Sequence, residues 1–427
     1  MKKTLQPGAG ILAVTEKKEM ILMRSGKPLL VLAFLLFLLA TACKRDTGER
    51  SSLVERIQAD SVYLSNDELL IRDDIENYFN HQARANSFNG NLLVARGGKI
   101  ISLRCYGWAD HAKKVKNQEE TVYQLASITK QFTAVAVLML VDRGLLSLDD
   151  SIQRFFPAFP YKGITIRMLL LHRSGLPNYI YFADRYIKDK TSPLTNQFVI
   201  NLMSHLRPAP YYPPDIRFHY SNTGYMLLAA VIEKVSSKPY SLFMKKEVFE
   251  PAGMSHTFVS AGTIPDNAQV AVGYKGGWRP AARTFLDGVV GDKGIYSTVT
   301  DLYRWDQVLY TGKLLSLQTL AQAFEPAGRK PGSRRNYGFG WRITYLPDST
   351  KVLYHTGWWE GFQTLLVRIQ KDSTTLVVLK NRKSGHIDRD LLLSKLYPHL
   401  YPGEGENASG NKPSGEEKTE EDEAVNH

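Results

Sequence analysis

Short apolar runs near both ends of the chain predict β-strands that meet in one sheet. Residues 91–107 read as two strands joined by Gly97 and Gly98, a pair typical of a tight hairpin turn. Strand-like runs return at the other end, over 337–345, 351–356 with 361–370, and 374–380. Amphipathic helices are predicted beside these strands, over 66–84 and 387–398.

The stretch between these ends, residues 125–330, has a mostly helical pattern. Apolar positions recur at helical spacing over 128–143, 165–171, 193–206, 222–236, 240–249 and 300–310. Loops rich in Pro, Gly and Tyr interrupt them, notably 179–192, 207–219 and 260–293, and long loops are often functional. The sequence therefore predicts an α/β (α+β) fold over residues 63–400. Strands from both ends form an antiparallel sheet flanked by helices, and a mostly helical region is inserted at about 125–330.

The first 42 residues have the pattern of a secretory signal segment, with a basic start and an apolar stretch over 29–39. The small residues before Cys43 resemble a bacterial lipoprotein box, in which the cysteine is lipidated and becomes the mature N-terminus. A plain cleaved signal is the alternative. Residues 43–62 are predicted to be a tether and 401–427 a disordered acidic tail. These features predict a lipoprotein of the cell envelope, periplasmic or on the surface, anchored to the membrane by its lipid.

The composition narrows the function classes only slightly. With 43% hydrophobic and 22% charged residues the chain is globular rather than disordered. The formal net charge of +12 could favour anionic substrates or surfaces, but a basic surface that keeps the protein soluble is the simpler explanation. No array of arginines and aromatics suggests nucleic acid, and the ten histidines lack metal-ligand spacing, so no nucleic-acid partner, metal or cofactor is expected. Cys105 is predicted to be buried in a strand.

Residues 125–130 read LASITK, which places a serine three positions before a lysine at the start of a long apolar run. On a helix, Ser127 and Lys130 share one face. A serine becomes a nucleophile when a base takes its proton, and a lysine can be that base when burial lowers its pKa. Taken alone, the pattern is better explained by a capped helix with a snorkelling lysine, since about one or two such matches arise by chance in a chain of this length.

A second motif, YSN at 220–222, lies before a predicted helix. Tyr220 could share or relay a proton, and Asn222 could bind a substrate amide. For the tripeptide alone, an aromatic residue packed at a helix start that Ser221 caps is the better explanation. His172, which precedes a turn, is interpreted as structural.

A third motif, HTG at 355–357, lies between two predicted strands. Thr356 and Gly357 would let main-chain N–H groups approach a substrate, and the amides of Ser127 and Trp358 would form an oxyanion hole. A simple hairpin turn is the alternative. Nearby aromatic residues could line a cleft, although each one singly fits packing: Tyr179, Tyr181, Tyr211, Tyr212, Trp358 and Trp359.

Taken together, SITK, YSN and HTG resemble the motifs of the serine beta-lactamase and penicillin-binding-protein superfamily. The resemblance is greatest to its class C branch, whose second motif is Tyr-x-Asn. The stretches 164–179, 224–257 and 294–305 also resemble that branch, and the similarity covers about residues 68–398. It implies a beta-lactamase/transpeptidase-like fold and an acyl-enzyme mechanism.

The resemblance also implies roles for individual residues. Ser127 would be the acylated nucleophile, Lys130 its base partner and Tyr220 a proton relay toward the leaving group. Asn222 would hold the substrate carbonyl or Lys130.

His355 stands where class C lactamases carry lysine, and a mostly neutral histidine should hold a substrate carboxylate less well. We therefore expect hydrolysis of an ester, a D-amino-acid peptide or a beta-lactam-like amide rather than efficient beta-lactamase activity, on a small or peptide substrate that could derive from the cell wall. The alternative is a catalytically silent lipoprotein of the same fold that binds peptide or acts as a scaffold.

Overall fold

The computed structural model describes residues 64–327 and 336–402. The predicted signal segment, the tether with Cys43, and the tail beyond residue 402 lie outside the described residues.

Within the described residues the main sheet has seven antiparallel strands. Their order across the sheet is β10-β11-β12-β13-β14-β1-β2. Their bounds are β1 Gly90–Arg96, β2 Lys99–Tyr106, β10 Asn336–Tyr337, β11 Arg342–Tyr345, β12 Lys351–Trp359, β13 Phe362–Ile369 and β14 Thr374–Lys380.

The N-terminal hairpin completes the sheet because β1 pairs with β14 from Gly90 opposite Lys380 to Ala95 opposite Thr375. Gly97 and Gly98 close this hairpin with φ values of 58° and 75°, the left-handed backbone that such a turn needs. Strands from the two ends of the chain therefore pair within one antiparallel sheet, as predicted.

Helices cover both faces of the sheet. Helix α1 (Asn66–Arg84) and helix α10 (Arg389–Leu396) pack on one face, over apolar side chains that alternate along the strands, such as Leu376 and Val378. Helix α8 (Val299–Val308) packs against β1 and β14 on the other face. Every residue of β14 is buried as a result, because neither face of this strand meets solvent.

The remaining helices form the inserted region around α6 (Asn222–Ser236). They are α2 Thr129–Asp142, α3 Ile166–Leu170, α4 Tyr179–Tyr186, α5 Asn196–Leu206, α7 Tyr240–Phe243, which continues as a π-helical turn over Met244–Phe249, and α9 Leu317–Ala321. Helices α2, α3, α5 and α7 all pack on α6. Ten of its fifteen residues are therefore buried.

Short strands also occur in the inserted region, which pattern alone did not predict. Strands β5 (Tyr123–Gln124), β6 (Phe258–Val259) and β9 (Ile295–Ser297) form a small sheet beside the start of α2. Two hairpins pair β3 (Trp108–Asp110) with β4 (Val115–Lys116), and β7 (Tyr274–Lys275) with β8 (Arg279–Pro280).

Three predictions need correction. The segment 179–192 is not a continuous loop, because Asn178 caps helix α4 through its side-chain oxygen. The predicted strand 337–345 is split into β10 and β11. Cys105 lies in β2 as predicted, but it is only half-buried, near the end of the strand.

Candidate active site

The motif serine lies in a strained turn rather than in the first turn of an α-helix. A short 3-10 turn, Ala126–Ile128, carries Ser127 and leads directly into α2. Ala126 has a φ of 50°, a left-handed conformation that costs free energy for a residue with a Cβ. Neighbouring strands hold the turn through Leu125, whose N–H donates to the Ile295 carbonyl at 2.9 Å and whose carbonyl accepts from the Thr364 hydroxyl at 2.8 Å.

Lys130 is fully buried, and its amine lies against the serine. Its Nζ is 2.9 Å from Ser127 Oγ, 2.8 Å from Asn222 Oδ1 and 3.0 Å from the Asp292 main-chain carbonyl. Two of these three partners can only accept hydrogen bonds. In its neutral form the amine can donate to both of these acceptors and offer its lone pair to the Ser127 hydroxyl. The geometry therefore suits a general base beside a nucleophile.

The second motif lies against the same amine. Asn222 is the first residue of α6, and the ring centroid of Tyr220 lies 4.9 Å from Lys130 Nζ. The structure thus brings together Ser127, Lys130, Tyr220 and Asn222.

His172 supports the second motif from behind. The N–H of Ser221 donates to His172 Nδ1 at 3.2 Å, and the imidazole lies 4.2 Å from the Tyr220 ring, centroid to centroid. Burial, together with the nearby charge of Lys130, holds the pKa of His172 well below 6.5, which keeps the ring neutral and Nδ1 able to accept. A supporting role of this kind agrees with the structural interpretation of this residue.

The third motif lies within a strand. Strand β12 continues through His355, Thr356, Gly357 and Trp358 to Trp359, whereas the sequence suggested that it ends at the motif. Its partner β11 pairs only as far as Tyr354, opposite Arg342. Beyond that point the Ser127 turn packs on the face of β12 and β13.

Gly357 is required by this close approach. A Cβ at this position would lie 2.3 Å from the Leu125 carbonyl oxygen and 2.3 Å from Thr364 Oγ1. The face of β12 at Gly357 therefore lies directly against the turn that carries Ser127. An oxyanion hole formed by the amides of Ser127 and Trp358 stays a prediction.

His355 is buried and does not present a charge to the site. Its Nδ1 donates to the Thr356 carbonyl at 2.6 Å, so its Nε2 accepts from the Tyr337 hydroxyl at 3.0 Å. Burial, with the charges of Arg342 and Lys130, holds the pKa of His355 well below 6.5.

Sequence reasoning missed several residues at the site. Arg342 places a permanent cation 5.4 Å from the Tyr220 ring centroid, and no motif marks it. Asp292 supplies the carbonyl that accepts from Lys130, and Lys293 beside it is also buried. Two adjacent charged residues between Gly291 and Gly294 in an apolar stretch were the available signal.

The candidate cleft aromatics divide into three groups by burial. Tyr179 and Trp359 are buried and hydrogen-bonded to Asp292 and Asp287, respectively. Tyr181 and Tyr211 are exposed. Tyr212 and Trp358 are half-buried. The sequence could not separate these three groups.

Residues 64–327 and 336–402 contain no group of side chains that could hold a metal ion. None of the helices in those ranges is long and apolar enough to cross a membrane.

Comparison with known proteins shows which family the chain belongs to. The family model described as Beta-lactamase matches residues 76–394. The chain is 33% identical over 328 residues to penicillin-binding protein 4* of Bacillus subtilis (strain 168), covering 73% of this chain and 72% of the relative.

Two solved structures have the same fold. A penicillin-binding protein from Bacillus halodurans is 26% identical with a TM-score of 0.64, covering 75% of this chain and 98% of its own. D-amino acid amidase from Ochrobactrum anthropi SV3 is 25% identical with a TM-score of 0.64, covering 79% of this chain and 99% of its own. The chain belongs to the beta-lactamase family, within the superfamily of serine hydrolases that includes the penicillin-binding proteins.

Proposed function

We propose that the protein hydrolyses an ester, a D-amino-acid peptide or a beta-lactam-like amide through an acyl-enzyme on Ser127. The observation that carries the proposal is the 2.9 Å contact between Ser127 Oγ and the fully buried amine of Lys130. The amine takes the hydroxyl proton as the oxygen attacks the substrate carbonyl. Tyr220 then relays this proton from Lys130 to the leaving group as the bond to that group breaks. In the second half of the reaction, water attacks the acyl-enzyme and releases the product.

Charge around the site supports substrates that carry a carboxylate. His355 is neutral and buried, so it is unsuited to hold an anion directly. Arg342, in contrast, stays charged at all relevant pH values and lies on the Tyr220 side of the site. We infer that Arg342 takes the role that lysine has in the third motif of class C enzymes.

The signal-like segment and Cys43 support a location in the cell envelope, with a lipid anchor. Relatives named as penicillin-binding proteins agree with that location. Cys43 lies outside the described residues, so the anchor stays a prediction.

Replacing the nucleophile tests the acyl-enzyme directly. We expect a fluorophosphonate probe to add one adduct to the wild-type protein and none to Ser127→Ala, measured by intact-mass spectrometry. Ser260→Ala removes another buried serine, outside the site, and should be labelled like the wild type. An unlabelled wild type would favour a catalytically silent scaffold instead.

The base assignment makes a separate prediction. Lys130→Ala should slow acylation by about 10²–10⁴-fold, because no group would take the serine proton. Lys130→Arg keeps the positive charge but does not deprotonate, so it should be slowed comparably. Stopped-flow labelling at neutral pH measures both rates. A Lys130→Arg variant with the wild-type rate would show that the charge matters and the base does not.

The inferred role of Arg342 predicts substrate preference. A D-alanyl peptide with a free terminal carboxylate should react faster than its terminal amide, since a hydrogen-bonded charge pair contributes about 1.5–3 kcal/mol. Arg342→Met should remove most of this preference while leaving p-nitrophenyl esters comparatively unaffected. Comparing kcat/KM across the three substrates measures it. Equal preference in wild type and variant would contradict the assignment.

The neutral histidines predict a specific pH dependence of stability. In the unfolded chain, His172 and His355 take up protons below about pH 6.5, whereas in the folded protein both stay neutral there. The free energy of unfolding should therefore fall as the pH is lowered. The fall is at most about 1.4 kcal/mol per pH unit for each histidine. His355→Asn should remove about half of this slope between pH 6.5 and 5, measured by urea unfolding. The exposed His386 provides the control, since His386→Asn changes a side chain that meets solvent in both states. An unchanged slope in His355→Asn would mean that His355 is protonated in the native protein.

A further inference from the structure

A second buried polar cluster lies behind the catalytic lysine. It consists of Asp292 and Lys293, in the segment between β8 and β9, and Tyr179 at the start of α4. The three residues are 1%, 3% and 0% exposed, respectively. None of the three motifs includes them.

A directed chain of hydrogen bonds joins the three side chains. Lys293 Nζ donates to the Tyr179 hydroxyl, which donates to Asp292 Oδ2 at 2.9 Å. Lys293 Nζ also lies 3.7 Å from Asp292 Oδ2. Burial, with the Asp292 carboxylate nearby, raises the pKa of Tyr179 well above 10, so the phenol keeps the proton that it donates.

The main chain of Asp292 is the part that reaches the catalytic site. Its carbonyl accepts from Lys130 Nζ at 3.0 Å. The preceding carbonyl, of Gly291, accepts from the hydroxyl of Thr133, which lies one turn beyond Lys130 on α2. Gly291 has a φ of 102°, and a Cβ there would lie 2.5 Å from the Tyr225 carbonyl oxygen on α6. The segment that contains Gly291 and Asp292 therefore packs against α2 and α6. The hydrogen bond of the Asp292 side chain holds its other side.

Lys293 also connects this segment to the third-motif strand. Its Nζ lies 4.9 Å from the ring centroid of Trp359, the last residue of β12. The indole N–H of Trp359 donates to Asp287 Oδ1 at 2.7 Å, within the same connection that carries Lys293. A shift of Lys293 would therefore move contacts on both sides of the site.

Stability alone does not favour this cluster, because burying charged groups lowers the free energy of unfolding relative to apolar packing. The free energy lost when a lysine and an aspartate leave water often exceeds the free energy gained from their mutual attraction. Proteins with apolar residues of similar size at such positions are often equally stable or more stable. Burial lowers the pKa of Lys293, which shows the direction of this cost. A role beyond stability accounts for retaining three polar groups here.

We propose that Tyr179, Asp292 and Lys293 are positioning residues for the catalytic base. By holding the Asp292 side chain, they fix the carbonyl that accepts from Lys130 and so direct the lone pair of the amine at Ser127. The role rests on the function proposed above, because it matters for catalysis only if Lys130 activates Ser127. A misplacement of about 1 Å in such a group can slow a reaction by about 10²-fold.

Two variants test this role, and both can be studied as the full chain. Tyr179→Phe removes a single oxygen and is expected to fold. Lys293→Met removes the charge and keeps similar volume. For each, crystal structures give the distance from Lys130 Nζ to the Asp292 carbonyl oxygen, and single-turnover reaction with a p-nitrophenyl ester gives the limiting acylation rate and the apparent binding constant separately. Lys380→Met is the matched control, since Lys380 is a buried lysine that also bonds main-chain carbonyls but lies on β14.

We expect Tyr179→Phe and Lys293→Met to lengthen the Lys130–Asp292 distance and to slow limiting acylation about 10–100-fold with little change in apparent binding. Lys380→Met should lower stability without changing that rate. An unchanged distance, or a lengthened distance with the wild-type rate, overturns the proposal. If the wild type is not labelled, the proposed function fails, and the distance in the Tyr179→Phe structure still decides whether the cluster positions the carbonyl.

Discussion

The buried amine of Lys130 is the constraint around which the site is organised. An amine removed from water needs hydrogen-bond partners, and this one receives them from three separate parts of the chain: the Ser127 turn, the start of α6 and the segment before β9. The same contacts that satisfy the amine also fix its distance from the serine. The burial that costs hydration of Lys130 therefore also holds its amine against the Ser127 hydroxyl.

The surroundings of the amine follow from the same constraint. His172 and His355 are held neutral by burial and by nearby positive charge, so they support the motifs as hydrogen-bonding groups. His172 accepts from the main chain beside Tyr220, and His355 joins Tyr337 to β12. Arg342, on the neighbouring strand β11, is a permanent cation near the Tyr220 ring. Under the role proposed for Arg342, the positive charge that lysine supplies in the third motif of class C enzymes would come from this strand.

The sequence predicts the sheet and the catalytic residues because both leave local signals. The glycine pair at 97–98 and the apolar runs of β1, β13 and β14 are visible as patterns, and SITK and YSN combine residue types that suit one reaction. The site residues that were missed have no such signal. Arg342 reaches Tyr220 only because β11 pairs with β12, and Asp292 contributes a main-chain carbonyl, which any residue carries. Helix α4 was missed because its eight residues are too few to show a clear helical period against a loop rich in tyrosine.

The end of the β11 pairing gives the third motif a different setting from the rest of β12. Strand β12 pairs with β13 from Leu353 to Trp359, whereas its pairing with β11 runs only as far as Tyr354. At Gly357 the face of β12 packs against the Ser127 turn, because a Cβ there would lie 2.3 Å from the Leu125 carbonyl oxygen. The motif therefore meets the candidate nucleophile through main-chain atoms, and only glycine allows this approach. Under the proposed function, an extended peptide that paired with the main chain of β12 beyond Tyr354 would bring a carbonyl near Ser127, so main-chain pairing would contribute more to specificity than side-chain pockets.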